Sequence, residues 1–196
     1  MTIPNQLTIL RIILTPIFAW FFLSNDLRLH QLSLVVFVIA ALTDWYDGWL
    51  ARKFNYMSNL GKFLDPLADK ILTSTGFIVF IFVGVLELWM VIIIVVRDLM
   101  ITILRIYAQY KNQVFSTSYL AKVKTFTQMV FLYYLLILYI GKDVSFLDFI
   151  PNSIFEILLN PHFIYYTMLV ITFITFYTGI SYIYRNRYTI EKMLRS

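Results

Sequence analysis

Residues 44–69 read DWYDGWLARKFNYMSNLGKFLDPLAD and connect two apolar runs, each long enough to cross a membrane. On both sides of a polar middle segment, KFNYMSNL (53–60), the acidic and small residues recur at spacings of three and four. Side chains at these spacings share one face of an α-helix. The stretch therefore predicts two antiparallel helices joined by a turn, with their acidic faces directed at each other.

The chain around this stretch is rich in apolar residues. Of its 196 residues, 60% are hydrophobic and 14% are charged, whereas soluble domains contain roughly 45–50% and 25%. The apolar runs are continuous and do not alternate with polar residues, so they predict helices and not a β-barrel. We expect an all-α polytopic membrane protein, a single domain over 1–196 with a short interfacial segment at 1–6. The six predicted transmembrane helices are 7–23, 32–50, 66–86, 88–108, 125–141 and 162–184.

Basic residues concentrate in alternate connections between these helices. Lys and Arg favour the cytoplasmic side of a membrane, so both termini and these connections are predicted to be cytoplasmic, in the inner (plasma) membrane. The same residues explain the net charge of +5 without any binding to nucleic acid. The chain has no cysteine, which excludes disulfides, thiolate metal ligands and a cysteine nucleophile. The basic residues are Arg52, Lys53, Lys62, Lys111, Lys122, Lys124, Arg185, Arg187, Lys192 and Arg195.

Four aspartates occupy matching depths in this arrangement. Asp44 and Asp47 lie on one predicted helix, and Asp65 and Asp69 lie on the next. Carboxylates crowded inside a membrane repel one another and are costly to bury, and divalent cations relieve both problems. Oxygen ligands without a nearby His or Cys select Mg²⁺ or Mn²⁺ over Zn²⁺, and two ions about 4 Å apart would suit phosphoryl transfer. The pattern predicts a metal site in a polar cavity that faces the cytoplasm.

Each part of this pattern also has an ordinary structural explanation. Two aspartates three residues apart are commonly a solvated helix face, and Asp65 before Pro66 resembles a helix N-cap. Small residues in a span commonly serve helix packing. Together, however, the positions favour a site in which small residues let a bulky ligand approach and an arginine holds a phosphate. The residues concerned are Gly48, Ala51, Arg52 and Gly61.

The spacing DxxDGxxARx₈GxxxDxxxD resembles, without a gap or mismatch, the signature of the CDP-alcohol phosphotransferase family. The segments IPNQLTILR, RDLMITILR and AKVKTFTQ are in addition similar to bacterial phosphatidylglycerophosphate synthases, so the resemblance covers most of 1–130. It implies a homodimer with six helices per protomer that binds CDP-diacylglycerol and displaces CMP with an alcohol.

The resemblance also implies roles for individual residues. Metal ligation is implied for Asp44, Asp47, Asp65 and Asp69, and Asp69 is in addition the implied general base. A positioned carboxylate can accept the proton of a hydroxyl that attacks. CMP would depart as a phosphate anion neutralised by metal, so direct displacement needs no covalent intermediate. Contacts to the CDP group are implied for Gly48, Ala51, Arg52 and Gly61, and more weakly for Asn5 and Thr8.

An acceptor that carries phosphate needs its own cationic pocket, and Arg97, Arg105, Lys122 and Lys124 are the candidates. Arg97 ranks first, because an arginine inside a membrane must face a cavity or an acid. Its alternative is an ion pair with Asp98, although adjacent helical residues do not face each other. Lys122 and Lys124 could equally be topology charges.

Three functions remain open from these residues. The first is transfer of a phosphatidyl group from CDP-diacylglycerol to glycerol 3-phosphate. The second is a cardiolipin synthase of the same fold that uses phosphatidylglycerol, because both acceptors contain glycerol and phosphate. The third, from another class, is a divalent-cation or proton-coupled transporter. The absence of an internal sequence repeat argues against the third.

Overall fold

The structure, a computed structural model, describes residues 3–54, 59–111, 113, 115–116, 118–142 and 152–195. Within these ranges the chain forms helices and no strands, so the predicted all-α fold is confirmed for the part described. The helices are α1 (Ile3–Phe22), α2 (Leu27–Phe54), α3 (Asn59–Phe82), α4 (Leu88–Tyr110), α5 (Tyr119–Gly141), α6 (Asn152–Leu158), α7 (Pro161–Arg185) and α8 (Arg187–Arg195).

The six long helices form a bundle in which successive long helices run in opposite directions. Its apolar core comes from the second halves of α1, α3 and α5 and from the first halves of α2, α4 and α7. Of the buried charged side chains, Arg11 and Lys124 come from the opposite halves of their helices and Asp98 comes from the middle of α4. One end of the bundle therefore holds the apolar core, and the buried charges lie toward the other end. The core residues with the largest buried side chains are Phe18, Phe22, Phe37, Phe77, Phe80, Met90, Ile94, Leu132, Leu135 and Leu136.

Four stretches of the described chain are long and apolar enough to cross a membrane. They are Asn5–Phe22, Leu27–Asp44, Tyr119–Gly141 and Ser153–Arg185. The helices α3 and α4 have the length to span but carry several charged side chains: Asp65, Asp69 and Lys70 on α3, and Arg97, Asp98 and Arg105 on α4. Length and composition alone therefore identify four of the six predicted spans.

Two helix starts are explained by capping residues. The Ser118 side chain accepts a hydrogen bond from the backbone N–H of Ala121, and α5 begins at Tyr119, six residues before the predicted span. Asn160 caps α7 by accepting from the backbone N–H of His162 at 2.9 Å, with Pro161 at the first helical position. A side-chain acceptor at this position satisfies backbone N–H groups that lack a partner inside the helix. Caps thus extend the helices beyond their apolar runs.

Several local expectations differ from the structure. The helix α3 begins at Asn59, so Asp65 and Pro66 are interior helical residues and the N-cap alternative is wrong. The segment 1–6, expected at the interface, is continuous with α1 from Ile3 onward. The helices α6 and α8 lie where no helix was predicted. The predicted turn 53–60 lies partly outside the described residues, which stop at 54 and resume at 59.

Candidate active site

One face of α1 brings polar side chains into the bundle. Asn5, Thr8 and Arg11 follow a spacing of three residues and are all buried, with Arg11 fully enclosed. Residues at this spacing share a helix face, and α1 packs against both α2 and α3. This polar face of α1 is therefore directed at the helices that carry the predicted aspartates.

Two of those aspartates have partners on α1. The guanidinium Nη1 of Arg11 lies 2.6 Å from Oδ1 of Asp44 on α2. The hydroxyl of Thr8 donates a short hydrogen bond to Oδ1 of Asp65 on α3. Asp44 also interacts electrostatically with Asp65 and Asp69. The structure therefore places α1 against a carboxylate of α2 and a carboxylate of α3, and Asp44 lies within electrostatic range of Asp65 and Asp69.

Carboxylate oxygens from two neighbouring helices are the donors that Mg²⁺ and Mn²⁺ prefer. Asp44, Asp65 and Asp69 supply such oxygens, so the donor set fits a hard divalent ion in its chemistry. Among the side chains that the structure describes, no three Asp, Glu or His groups are close enough to hold an ion. The side chain of Asp47, the fourth predicted ligand, lies outside that description.

The structure describes the side chains of only some of the residues predicted to contact the CDP group. Gly48, Ala51 and Arg52 lie on α2, one to two turns beyond Asp44, and their side chains lie outside the described part. Gly61 lies in the first turn of α3 and is buried. Asn5 and Thr8 are buried on α1, and Thr8 contacts a carboxylate. The structure thus places Thr8 beside a carboxylate, with Asn5 buried about one turn earlier on α1.

A cavity of about 350 Å³ opens between α3, α4 and α5. Asp69 and Lys70 line it from α3, and Thr125 lines it from α5. The largest share comes from one face of α4, where successive lining residues are one or three positions apart. These α4 residues are Arg97, Asp98, Ile101, Thr102, Arg105, Ile106 and Gln109. The cavity therefore places the predicted general base in the same chamber as two predicted phosphate ligands.

Arg97 is held by groups from two helices. Its Nη1 donates to Oδ1 of Asp98 at 3.0 Å, and its Nη2 donates to the hydroxyl of Thr178 on α7 at 3.1 Å. The ion pair with Asp98, raised as an alternative above, is therefore present even though the two residues are adjacent. The long arginine side chain bends back toward its neighbour while still lining the cavity. Arg97 therefore both pairs with Asp98 and lines the cavity.

The other three residues predicted to bind the phosphate of the acceptor lie in different environments. Arg105 lines the cavity, and its Nε donates to the hydroxyl of Tyr182 on α7 at 3.3 Å. Lys124 is buried, does not line the cavity, and places its Nζ 2.6 Å from Oδ1 of Asp98. Lys122 is exposed on α5 and does not line the cavity. The structure therefore separates the two arginines from the two lysines.

Sequence reasoning did not assign Arg11, Lys70 or Tyr182. A signal existed for Arg11, which is a lone charge in an apolar run three residues after Thr8. Lys70 follows Asp69 directly, and its Nζ lies 3.3 Å from Oδ2 of that residue. No pattern singles out Tyr182 among the 14 tyrosines of the chain. Its contact with Arg105 depends on how α4 and α7 pack.

The chain is similar to known proteins over most of its length. A sequence model described as CDP-alcohol phosphatidyltransferase matches residues 1–177, which include every candidate site residue predicted from the sequence. A Rickettsia felis protein named CDP-diacylglycerol--glycerol-3-phosphate 3-phosphatidyltransferase is 33% identical over 180 residues, 92% of each chain. Proteins of the same name from Bacillus subtilis and Blochmanniella floridana are 38% and 41% identical. Those matches cover 65% and 68% of this chain and 72% and 73% of the relatives.

Proposed function

Because this chain belongs to the CDP-alcohol phosphatidyltransferase family, we propose that it transfers the phosphatidyl group of CDP-diacylglycerol to glycerol 3-phosphate. The products are phosphatidylglycerophosphate and CMP, and the reaction is a step of phospholipid synthesis. The names of the bacterial relatives support this acceptor. The observation that carries the proposal is the cavity in which Asp69, Arg97 and Arg105 lie together.

The cavity suits an acceptor with a phosphate at one end and a hydroxyl at the other. Arg97 and Arg105 bind the phosphate through charge-assisted hydrogen bonds, and this orients the free hydroxyl toward Asp69. The Asp69 carboxylate accepts the proton of that hydroxyl as it attacks the phosphorus of CDP-diacylglycerol. A volume of about 350 Å³ leaves room for a small phosphorylated alcohol. Because the phosphate and the hydroxyl of the acceptor are bound at separate places, binding of the phosphate also orients the hydroxyl for attack.

The carboxylates of α2 and α3 lie in the part of the site that binds the phosphatidyl donor, CDP-diacylglycerol. Asp44, Asp47, Asp65 and Asp69 would hold Mg²⁺ or Mn²⁺, in our proposal as two ions. Bound metal would neutralise the diphosphate and the departing CMP. The CDP group contacts Gly48, Ala51, Arg52 and Gly61, with Asn5 and Thr8 beside it. The described hydrogen bond from Thr8 supports a further role for this residue in holding Asp65.

Six membrane spans follow if α3 and α4 also cross the membrane. Their charges at Asp69, Lys70, Arg97, Asp98 and Arg105 line the cavity, and ionisable residues inside membranes characteristically face such interior cavities. We propose a single domain over residues 1–196 in the inner membrane. The cavity opens to the cytoplasm, where the basic connections lie, and two copies form a homodimer.

A panel of acceptors with the purified protein in detergent tests the function. The assay supplies CDP-diacylglycerol with Mg²⁺ or Mn²⁺ and offers glycerol 3-phosphate, phosphatidylglycerol, inositol phosphate or serine in turn. We expect CMP release with glycerol 3-phosphate and its loss on chelation of the metal. Product from phosphatidylglycerol alone would replace the proposal with a cardiolipin synthase. Cation flux in liposomes without any transfer would identify a transporter instead.

The role of Asp69 is tested by Asp69→Asn, which removes the base but keeps the size of the side chain. We expect turnover to fall by about 10²- to 10⁴-fold, the usual contribution of a general base. The assay is repeated at saturating Mg²⁺ to separate loss of the base from weaker metal binding. Asp26→Asn, an exposed acid in the connection between α1 and α2, is the matched control. Full turnover by Asp69→Asn would exclude Asp69 as the base.

A further inference from the structure

Asp98 is a buried carboxylate surrounded by basic groups from three helices. Its Oδ1 lies 2.6 Å from Nζ of Lys124 on α5 and accepts from Arg97 at 3.0 Å. Its Oδ2 lies 3.9 Å from Nζ of Lys70 on α3. Asp98 therefore connects α3, α4 and α5 where they enclose the cavity.

The Lys124 ammonium gives Asp98 a fixed position. The Lys124 side chain is fully enclosed and does not line the cavity, so a phosphate in the cavity does not meet it directly. A buried ammonium is costly unless it is paired with an opposite charge. The pair with Lys124 consequently holds the Asp98 carboxylate in one place.

The guanidinium of Arg97 is held on several sides. Asp98 accepts from Nη1 and Thr178 accepts from Nη2. Behind the side chain, a Cβ added to Gly179 would lie 3.0 Å from Cγ of Arg97, which shows how closely α7 packs there. Of these contacts, only the one with Asp98 carries a charge. Asp98 thus orients the planar guanidinium, whose donor geometry matches a phosphate.

We infer that Asp98 and Lys124 form a positioning pair that sets Arg97 for the phosphate of the acceptor. Lys124 acts through Asp98 and does not contact the phosphate. The inference rests on the proposed function for the identity of the acceptor. It changes the expected role of Lys124 from a phosphate ligand to the residue that fixes Asp98.

For Asp98→Asn, a positioning role of Asp98 and an effect of the net charge of the cavity predict opposite changes in phosphate binding. The charged residues lining the cavity are Lys70, Arg97 and Arg105 against Asp69 and Asp98, a net charge of +1 (3 − 2). Removing the Asp98 charge raises this to +2, so attraction alone would tighten phosphate binding. Loss of orientation weakens binding instead, because Arg97 loses its charged partner. The sign of the change therefore separates the two explanations.

The experiment measures binding of glycerol 3-phosphate and inorganic phosphate to the full chain in detergent by thermal stabilisation. Steady-state kinetics give KM for glycerol 3-phosphate and for CDP-diacylglycerol. We expect Asp98→Asn to weaken acceptor binding about 10- to 100-fold, the range for a lost hydrogen bond to a charged group. KM for CDP-diacylglycerol stays near that of the wild type. Glu87→Gln, at the N-cap of α4 and three turns away from Asp98, is the control and should change neither value.

Two further variants keep the test valid if Asp98→Asn folds poorly. Asp98→Asn with Lys124→Met removes both buried charges, which should restore folding but leaves Arg97 without its charged partner. Asp98→Glu keeps the charge and moves it by one methylene. Both should weaken acceptor binding, whereas a role of charge alone predicts no loss for Asp98→Glu.

The outcomes separate this inference from the proposed function. Unchanged or tighter acceptor binding in the folded variants would overturn the positioning role, as would a wild type that binds no phosphate. If the wild type binds phosphate, the variants weaken it, and no phosphatidylglycerophosphate forms, the positioning role stands and the proposed function falls. Turnover of glycerol 3-phosphate with weakened binding in the variants supports both.

Discussion

Arg11 is a fully enclosed arginine on a helix of membrane-spanning length. A cation in that position requires an acid within reach, and Asp44 supplies one at 2.6 Å. Asp44 is about half exposed and is a proposed metal ligand, whereas Arg11 is buried. The arginine therefore fixes the position of Asp44 from behind while leaving part of its carboxylate accessible. At this scale, one ion pair connects α1 to the proposed metal site.

Asp44→Asn removes the negative charge that lies 2.6 Å from the buried Arg11. We expect the free energy of unfolding to fall by about 1.5–3 kcal/mol, the range for a lost hydrogen bond to a charged group. The partial exposure of Asp44 places the change toward the lower end of that range. Thermal unfolding in detergent measures it, with the surface variant Asp26→Asn expected to stay within about 0.5 kcal/mol of the wild type.

The double variant Arg11→Met with Asp44→Asn tests whether the pair itself is responsible. In the double variant neither member of the pair keeps its charge after losing the other, so the double variant should be more stable than the sum of the single changes predicts. Additive losses would show that Arg11 and Asp44 stabilise the fold independently.

At the scale of elements, α7 shapes the cavity without lining it. Thr178 accepts from Arg97 and Tyr182 accepts from Arg105, so one helix holds both proposed phosphate ligands. The same α7 face includes Gly179, where the absence of a side chain lets Arg97 lie close to the helix backbone. The α7 helix therefore packs behind Arg97 and Arg105, and its packing against α4 determines the direction of these two side chains.

Gly179→Ala should impair acceptor binding more than folding. The added Cβ would lie 3.0 Å from Cγ of Arg97, so the arginine must shift. Because small misplacements at a reactive site have large kinetic effects, we expect KM for glycerol 3-phosphate to rise by about tenfold. Steady-state kinetics with each substrate varied in turn measure this change.

Gly76→Ala is the matched control for this prediction. Its added Cβ would lie 2.9 Å from Leu132 in the apolar core, a similar degree of crowding away from the cavity. It should reduce the stability by about 1–3 kcal/mol through overpacking and leave KM for the acceptor unchanged. Equal kinetic effects of the two substitutions would mean that Gly179 acts through general packing.

At the scale of the whole molecule, the alternating direction of the helices separates an apolar end from a polar one. Arg11 and Asp44, Asp98 and Lys124, and Arg97 and Thr178 all meet at the polar end. Contacts between alternating helix halves gather charges that are far apart in the chain into one layer. The proposed reaction joins a membrane lipid to a soluble acceptor, so this layer suits the membrane surface.

The orientation of the bundle can be tested with single cysteines, because the natural chain contains none. Asn25 and Ser116 are exposed in connections at opposite ends of the bundle. With basic connections in the cytoplasm, an impermeant maleimide should label Asn25→Cys in intact cells. Ser116→Cys should react only in inverted vesicles. Labelling of Ser116→Cys from outside would place the cavity on the opposite face of the membrane.

The sequence by itself determined the class of fold and the family, and it supplied the residues of the proposed site. The spacings of three and four that join Asp44 to Arg52 and Gly61 to Asp69 are properties of one helix at a time, so they are visible without coordinates. The apolar runs located the long helices for the same reason. Helix ends were less predictable, because residues such as Ser118 extend a helix past its apolar run.

Only the tertiary structure decided which of these faces meet. Arg97 and Thr178 are 81 positions apart, and Lys124 is 26 positions from Asp98. No local periodicity relates such residues, because their contact depends on how whole helices pack. Packing placed Arg97 and Arg105 in the cavity, enclosed Lys124 outside it, and paired Arg11 with Asp44. The helical period determines which side chains share one face of a helix. The packing of the bundle determines which other helix that face contacts.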